Sequence, residues 1–427
     1  MLTFVLISVV SVILSGTRLT ALFFELSARI FRNAFLILAL ILPIVAGMGI
    51  NFAITIGAMG AQIALLLVLN WKIPGALGIG TAALMTVPIS GFFGYLVGKL
   101  LNRMKGQEMI GSMILGYFAN GLYQVLFLFI FGQLIPISNR DLTVLGGVSG
   151  ISNTLDLSKG TYAVRNGIDN LWKLTMGDAL YIVSGFVIVA LAGSLLIARR
   201  KGRRSPADPA LAGAGLTPDY PAALKRLYVR YGAIAACLAA ACAAYQLPQV
   251  SQQFMMVRIP MVTLIAIVLL GVFNVMIMKT RLGQRFRAVG QSQTVANASG
   301  INVNRTRLIA IMLSTVFAGW GQLLSLQSLG IMQTYFAHES IGLYAGAAIL
   351  VGGATIARAT NGQAILGCIL FHTLFAVANN LGKNAFGNAA IGEFFRVFVS
   401  YGVIAVALVM HGLKTIQRRK PGAALGA

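Results

Sequence analysis

Long apolar runs separated by short polar segments constrain this sequence more than any of its other features. A transmembrane helix needs about 20 consecutive apolar residues, because it rises about 1.5 Å per residue through a hydrocarbon core about 30 Å thick. Runs of that order fill most of the sequence, at 34–71, 76–98, 109–132, 179–198, 232–247, 259–278, 308–327, 341–357, 363–381 and 395–411. Only 10% of the residues are charged, whereas soluble domains carry about 25%. The sequence therefore predicts an all-α protein, a polytopic membrane helical bundle of about ten transmembrane helices, forming a single transmembrane domain over 1–427.

Basic residues are concentrated in a few polar segments, and this distribution predicts the orientation of the chain. The segments contain few acids and lie at 17–33, 99–108, 199–231, 279–307 and 411–420. Because Lys and Arg gather in cytoplasmic loops, we expect all of them on the cytoplasmic side, with 199–231 as a cytoplasmic linker and the charge-balanced segment 133–178 as an external loop. The same bias explains the net charge of +23, so we expect membrane lipid and no nucleic acid as a partner.

The run 34–71 contains Gly47, Gly49, Asn51, Gly57 and Gly60 near its middle. If each later run crosses once, the basic segments share one side only when 34–71 crosses once. That count predicts a broken or re-entrant segment near residues 47–60. Two full helices combined with a misassigned N-terminus are the alternative.

The N-terminal segment 1–16 is apolar and lacks both a basic start and a small-residue cleavage pattern. We therefore interpret it as a first membrane segment and not as a removable signal peptide. Its length is short for the hydrocarbon core, which leaves open whether it crosses.

Motifs for catalysis or metal binding are missing from the sequence. It has no G-x-x-x-x-G-K-[ST] loop, no paired cysteines and no histidines at metal-ligand spacing. We therefore expect a transport subunit, not an enzyme, with no cofactor and no metal site. The ten acids lie in loops or at the ends of the runs, which disfavours proton- or sodium-coupled carriers because these need ionisable groups inside the membrane. An ion-coupled secondary transporter or a channel stays the alternative from another class.

Neutral polar and aromatic residues occur within the apolar runs instead. The candidates for a translocation path are Asn51, Tyr117, Asn120, Tyr123, Gln124, Trp320, Gln322 and Asn379. Each one alone is typical of an interhelical hydrogen bond or an interfacial aromatic residue. As a set, they favour a path for a small polar uncharged solute, which such groups bind by hydrogen bonds and ring stacking.

The basic segment 279–307 contains an ordered motif as well as charge. It reads Gly283-Gln-Arg285-Phe-Arg287-Ala288-Val-Gly290, followed by Ala296, Ala298 and Gly300-Ile301, with a helix-capable stretch over 292–299 that Gly300 ends. This order resembles the cytoplasmic loop of the ABC importer permease family that serves branched-chain amino acids, simple sugars and nucleosides. The resemblance extends over about 34–412 and includes the small-residue segments 340–354 and 361–367.

The resemblance implies a coupling loop at 279–307 that docks on an ATP-binding subunit. The residues carried over for coupling to the ATPase are Gly283, Arg285, Arg287, Ala288, Gly290, Ala296 and Gly300. ATP and Mg would be bound by that partner. It further implies a permease subunit in the bacterial inner (cytoplasmic) membrane, a second permease that is identical or homologous, and an extracytoplasmic solute-binding protein.

The substrate expected from the resemblance is a nucleoside or a related heterocycle, riboflavin included. The stretch 106–117 is similar to one in nucleoside-type permeases, with Gly116 where that group has Asn. Asn51 stands where many sugar permeases have an acid, which weakens a sugar assignment. A simple sugar of the ribose or galactose type and a branched-chain amino acid are the alternatives.

Overall fold

The computed structural model describes residues 2–131, 134–144, 151–160, 162–204, 220–255 and 257–418. In chain order its helices are α1 (Leu2–Ser15), α2 (Leu19–Ala39), α3 (Ile41–Val45), α4 (Ile54–Asn70), α5 (Gly75–Arg103), α6 (Glu108–Val125, continued by a π-helical turn Leu126–Ile130), α7 (Met176–Arg204), α8 (Tyr220–Tyr245), α9 (Pro248–Phe254), α10 (Met261–Lys279), α11 (Arg281–Gln291), α12 (Gln293–Ala298), α13 (Val303–Leu329), α14 (Ile341–Val351), α15 (Asn361–Phe386) and α16 (Ala389–Arg418). Four short strands pair antiparallel in twos, β1 (Thr154–Asp156) with β4 (Ile331–Gln333) and β2 (Lys173–Thr175) with β3 (Arg258–Pro260).

The predicted polytopic helical bundle is confirmed. By length and composition, the described residues contain 8 helices able to cross a membrane: Leu19–Val45, Gly75–Arg103, Glu108–Ile130, Met176–Leu196, Met261–Lys279, Val303–Leu329, Asn361–Phe386 and Ala389–Val406. A helix pair bent by 89°, Tyr231–Tyr245 with Pro248–Phe254, raises the number to 9 if it forms one span. Shorter apolar helices, Phe4–Ser15, Ile54–Asn70 and Ile341–Val351, account for the remaining apolar runs.

The chain forms two compact units. The larger contains Met1–Leu171 and Val262–Ala427, and the smaller contains Trp172–Met261. In the smaller unit, β2 and β3 lie at one end of α7, where the Met176 N–H donates to the carbonyl of Val257 at 3.0 Å. Part of the predicted linker 199–231, residues 205–219, lies outside the described residues. All of the candidate path and coupling residues belong to the larger unit.

Glycine contacts hold α4, α5 and α13 together at the centre of the larger unit. A Cβ atom on Gly57 would lie 2.2 Å from the carbonyl oxygen of Thr315, and one on Gly319 would lie 2.5 Å from Thr86. Ser90 Oγ donates to the carbonyl of Gly57 at 2.9 Å. Because lipid tails are as apolar as leucine, close backbone packing takes the place of the hydrophobic effect between membrane helices. These glycines therefore stabilise the bundle by letting the helix backbones approach closely. They lie within regular helices and do not interrupt them.

The predicted break lies at 46–53. The helix ends at Val45 and the next begins at Ile54, and Gly47 and Gly49 have φ values of +76° and +69°, which glycine adopts at little cost. Gly57 and Gly60 continue regularly within α4. The run 34–71 thus contributes the end of one helical limb and all of the next, which agrees with the two-helix alternative for its topology.

Three of the polar turns meet at one end of the larger unit, which we name the basic end. Asn102 Nδ2 donates to the carbonyl of Asn304 at 2.8 Å, so the turn after α5 lies against the start of α13. A Cβ atom on Gly49 would lie 2.8 Å from the Met109 side chain and 4.0 Å from the carbonyl oxygen of Ile356. The segments 99–108 and 279–307 therefore share one side, as their basic residues predicted, and the turn at 352–360 lies there as well.

The segment 17–33 was predicted on that same side, and this prediction is wrong for its beginning. Asn380 Nδ2 donates to Thr17 Oγ1 at 3.1 Å, and Asn384 Nδ2 donates to the carbonyl of Ser15 at 2.7 Å. Both asparagines lie near the end of α15, a helix that begins at the basic end. Local charge counting failed because Glu25 and Arg29, 2.7 Å apart, form an i,i+4 pair along α2 and are not loop charges.

The end of the larger unit opposite the basic end is built from the described residues of 134–171, within the predicted external loop 133–178. Asn70 Nδ2 donates to the carbonyl of Pro136 at 3.3 Å, and β1 pairs with β4 just after α13. Tyr162 Oη donates to Asp141 Oδ2 at 2.9 Å; burial and this bond raise the pKa of the Tyr162 hydroxyl. Side-chain hydrogen bonds, more than strand pairing, order this loop.

Candidate coupling loop and solute path

The segment 279–307 folds into two short helices after α10. Thr280 Oγ1 caps α11 by accepting from the Gly283 N–H at 3.3 Å, and Ser292 Oγ caps α12 by accepting from the Val295 N–H at 3.3 Å. Such caps satisfy N–H groups that the first helical turn leaves free. The predicted helix over 292–299 is confirmed, since α12 runs from Gln293 to Ala298 and is followed by Gly300 at φ +77°.

Gly283 and Gly290 of the motif and Gly47 of the break are needed for different reasons. A Cβ atom on Gly283 would lie 2.2 Å from the carbonyl oxygen of Ile277, so this glycine allows the sharp corner between α10 and α11. One on Gly290 would lie 2.1 Å from the carbonyl oxygen of Val45, and one on Gly47 would lie 2.7 Å from Gly290 Cα. The predicted coupling loop 279–307 is therefore in direct contact with the backbone of the 46–53 break.

Exposure divides the predicted coupling residues into two groups. Arg285 and Arg287 are exposed on α11 and are available to a partner. Ala296 is buried, packed with Val289 and Val303 in a small apolar cluster that Ala288 also contacts. Ala296 therefore holds α12 onto its neighbours and is not a docking contact. The sequence reasoning missed Val295, which is 64% exposed on α12, because exposure on so short a helix follows from tertiary contacts.

A buried ion pair joins the end of this loop to the start of α6. Arg307 Nη2 donates to Glu108 Oε1, and the two side chains are 0% and 9% exposed. The Nε and Nη1 atoms of Arg307 have no hydrogen-bond partner among the described residues. Glu108, which we expected as a loop acid, is thus inside the protein, where removing its partner would leave an uncompensated charge.

Two of the predicted path residues, Asn120 and Tyr123, belong to one polar network on α6. Tyr123 Oη donates to Gln62 Oε1 at 2.7 Å. His338 places Nδ1 2.9 Å from Gln62 Oε1 and Nε2 2.8 Å from Asn120 Oδ1. Asn120 Nδ2 donates to Glu339 Oε1 at 2.7 Å.

The sequence reasoning missed Gln62, His338 and Glu339 in this network. Gln62 was detectable as an isolated amide within an apolar run. His338 and Glu339 were not, because a loop position gives no sign that the loop folds into the bundle. A cleft of about 50 Å³ beside the network is lined by Tyr117, Asn120, His338 and Glu339.

The remaining predicted path residues are dispersed. Asn51 Oδ1 accepts from the Ala53 N–H at 3.1 Å at the start of α4, and Trp320 Nε1 donates to the carbonyl of Ala83 at 2.9 Å between α13 and α5. Gln124 is half-buried on α6, and Asn379 is exposed on α15. These side chains do not form one continuous path within this chain.

Gln322 lines a larger cavity. Its volume is about 420 Å³, and its lining comprises Asn33, Leu36, Ile37, Gln322, Ser325, Leu326, Leu329, Ile331, Gln333, Phe336, Ala337, Ser340, Ile341, Tyr344, Ala345 and His372. Lys, Arg, Asp and Glu are absent from this lining. Within the described ranges, no group of three or more His, Cys, Asp and Glu residues is arranged to hold a metal ion.

Residues 24–408 match the family described as branched-chain amino acid transport system / permease component. The chain belongs to this family. Together with the long apolar helices, membership makes it a multi-pass protein of the inner membrane, and it confirms the resemblance noted for the segment 279–307.

Curated relatives share part of the chain. It is 31% identical over 135 residues to the probable ABC transporter permease protein y4mJ of Sinorhizobium fredii, covering 31% of this chain and 40% of the relative. It is 27% identical to the galactose/methyl galactoside import permease protein MglC of Salmonella typhimurium, covering 38% and 46%, and 28% identical to the ribose import permease protein RbsC of Escherichia coli, covering 33% and 41%. The chain thus spans less than half the length of the curated relatives it matches. No solved structure matches it.

Proposed function

We propose that this chain is the transmembrane permease subunit of a bacterial ABC importer for a small polar uncharged solute. The observation that carries the proposal is the seating of the coupling loop, with Gly290 against Gly47 at the break and Arg285 and Arg287 exposed on the outer side. The basic end would face the cytoplasm. There the exposed face of α11 and α12 would dock on an ATP-binding subunit that binds ATP and Mg.

Movement of the docked loop would be transmitted to the membrane helices through two contacts. One is the contact between Gly290 and Gly47, and the other is the buried pair of Arg307 and Glu108. The first would displace the start of α4, and the second would displace α6, which carries Asn120 and Tyr123. A second permease, identical or homologous, would complete the path, and an extracytoplasmic solute-binding protein would deliver the solute.

The favoured solute is a nucleoside or a related heterocycle, riboflavin included. The 420 Å³ cavity is lined by amides, hydroxyls and aromatic rings without a charged group, which suits a neutral solute with a flat ring. A zwitterionic branched-chain amino acid would bury two charges there without partners, at a high free-energy cost. A ribose- or galactose-type sugar is the alternative, favoured by the names of the ribose and galactose permeases among the relatives.

A secondary transporter is the second candidate because His338 and Glu339 are titratable groups within the polar network. Uptake by such a carrier would collapse on adding a protonophore and would survive depletion of ATP. An ABC importer would show the opposite pattern.

The coupling assignment is tested by Arg287→Glu and Val295→Glu in proteoliposomes that contain the permease, its ATPase and its solute-binding protein. Each variant reverses charge or places charge on the exposed face, so we expect at least a tenfold loss of uptake and of solute-stimulated ATP hydrolysis, with normal membrane insertion. Lys105→Glu, an exposed charge reversal in the turn between α5 and α6 and outside 279–307, is the matched control. Unchanged uptake and ATP hydrolysis in both test variants would refute the assignment.

A further inference from the structure

A buried histidine that lines the 420 Å³ cavity has a ring nitrogen without a partner among the described residues. His372 on α15 is 3% exposed, and its Nδ1 atom has no hydrogen-bond partner in the described part of the chain. Buried polar atoms are paired in the great majority of cases, because an unpaired one costs free energy. His372 lines the cavity, so a bound molecule there could provide the missing partner.

Aromatic neighbours hold the His372 ring in place. Phe371 and Phe375 lie edge-on to it, with ring centroids 5.5 Å and 6.0 Å away and interplanar angles of 79° and 73°. Tyr344, another lining residue, packs edge-on against Phe375 at 5.0 Å. The imidazole is therefore oriented before any ligand arrives, which reduces the ordering cost of binding.

The cavity lining defines the chemistry of a ligand. Amides come from Asn33, Gln322 and Gln333, and hydroxyls come from Ser325, Ser340 and Tyr344. Charged side chains are absent from the lining. The apolar walls therefore disfavour a bare ion of either sign, which would lie there without a partner.

We propose that this cavity is a solute-binding site and that the His372 imidazole determines its specificity. A neutral imidazole offers one donor and one acceptor, which match a neutral solute that presents both on one edge, as a nucleobase or a similar heterocycle does. Phe336 and Tyr344 provide aromatic surfaces for its ring. This inference rests on the proposed transport function and names the group that recognises its solute. An acyl chain would leave Nδ1 and the amides unpaired, so lipid is the less suitable occupant.

The test is equilibrium binding to the complex of permease and ATPase without the solute-binding protein. The probes are tritiated adenosine, uridine, ribose and leucine. We expect a nucleoside to bind best. His372→Phe should weaken its binding at least tenfold, whereas His372→Asn, which keeps a polar group near the position of Nδ1, should weaken it no more than about threefold. Thr373→Val is the matched control, because Thr373 is the next residue on α15, is also buried and does not line the cavity.

Several outcomes would overturn the proposal. These are the absence of binding by every probe, equal binding by wild type and His372→Phe, or a lipid that copurifies with wild type and is lost in His372→Phe. Uptake measured in parallel separates the two hypotheses. ATP-dependent uptake that fails in Arg287→Glu but persists in His372→Phe refutes the site and leaves the transport function intact. Uptake that is insensitive both to ATP and to the Arg287→Glu change refutes the proposed function as an ABC importer subunit.

A labelling experiment covers the case in which His372→Phe does not fold. Ser325→Cys is made after replacing Cys237, Cys242 and Cys368 by serine, and the thiol is reacted with a methanethiosulfonate reagent. Saturating nucleoside should slow its modification at least fivefold, while ribose and leucine should not. Modification that nucleoside does not slow would contradict occupancy of the cavity.

Discussion

At the scale of single residues, the hydrogen bonds around His338 fix which atoms donate and which accept. The Glu339 carboxylate can only accept, so Asn120 Nδ2 must donate to it, and Asn120 Oδ1 then faces His338 Nε2 as an acceptor. His338 Nε2 therefore carries the proton, and in a neutral ring Nδ1 must accept from Gln62. This requires the Gln62 amide to be turned relative to the assignment given above, so that its nitrogen, otherwise unpaired in the described structure, donates both to His338 Nδ1 and to the Tyr123 oxygen in place of the Tyr123 O–H bond to Gln62 Oε1.

This pattern of donors and acceptors predicts unequal effects on stability. Gln62→Leu should lower the free energy of unfolding by about 2–4 kcal/mol, because the buried groups of Tyr123 and His338 lose their partner and each costs about 1–3 kcal/mol. Tyr123→Phe should cost only about 1 kcal/mol, since Gln62 keeps its bond to His338. Thermal unfolding of the purified permease in detergent measures both. Equal losses in the two variants would contradict this pattern.

Sequence reasoning at this scale recognised local features and missed distant partners. The helix-capable stretch 292–299 and its stop at Gly300 depend on neighbours in sequence, so the short helix was predictable. A polar residue in an apolar run signals only that a hydrogen bond is needed. The sequence therefore could not show that Trp320 donates to the carbonyl of Ala83, or that Gln62 and not Gln124 belongs to the network.

At the scale of secondary-structure elements, the buried pair of Glu108 and Arg307 joins α6 to α13. The residues lie far apart in sequence, and each was expected in a solvated loop, so charge counting could not predict their contact. The pair links the coupling loop to the helix that carries Asn120. Whether the pair transmits movement between these helices can be tested separately from its contribution to stability.

We expect Arg307→Met to destabilise the permease by about 3–5 kcal/mol, because it leaves Glu108 as an uncompensated buried charge. The double variant Glu108→Met with Arg307→Met should recover most of that loss, since apolar replacements of a buried pair are often neutral. If the pair transmits movement, the double variant should still lose uptake at least fivefold. Thermal unfolding and proteoliposome uptake provide the two measurements. Wild-type uptake in the stable double variant would assign the pair to stability alone.

Helix packing yields a matched pair of glycine substitutions. Gly57→Ala should lower the yield of folded protein severalfold, because its Cβ would lie 2.2 Å from the carbonyl oxygen of Thr315. Gly80→Ala on α5 meets nothing within 4 Å and should be neutral or slightly stabilising, as alanine favours a helix over glycine by about 1 kcal/mol. Fluorescence-detected size-exclusion chromatography compares the yields. A Gly57→Ala variant that behaves like Gly80→Ala would argue against close contact of α4 with α13.

At the scale of the whole molecule, the apolar runs predicted the helical bundle, and the glycines near residue 47 predicted the break. The side of the segment 17–33 was mispredicted because its charges belong to the body of α2. When these charges are interpreted as a cytoplasmic loop, the span Leu19–Val45 is not counted as one helix, and the run 34–71 is assigned one crossing instead of two. This single assignment near the N-terminus therefore changed the predicted number of crossings.

Thr17 and Arg287 lie at opposite ends of the larger unit, so we expect them on opposite sides of the membrane. In a background with the three native cysteines replaced, Thr17→Cys should react with a membrane-impermeant maleimide in spheroplasts, and Arg287→Cys should react only in inverted vesicles. Lys105→Cys, in the turn between α5 and α6, is the control and should label like Arg287→Cys. Reaction of Thr17→Cys only in inverted vesicles would restore the original prediction.

The contact between Gly290 and Gly47 is made by backbone atoms, so the fit between the segment 279–307 and the break is independent of which side chains the segment exposes. If the exposed positions 285, 287 and 295 contact an ATPase, as proposed, they could change with that partner while the backbone contact beneath them stayed the same. Such a permease would acquire a new ATPase partner through surface substitutions alone.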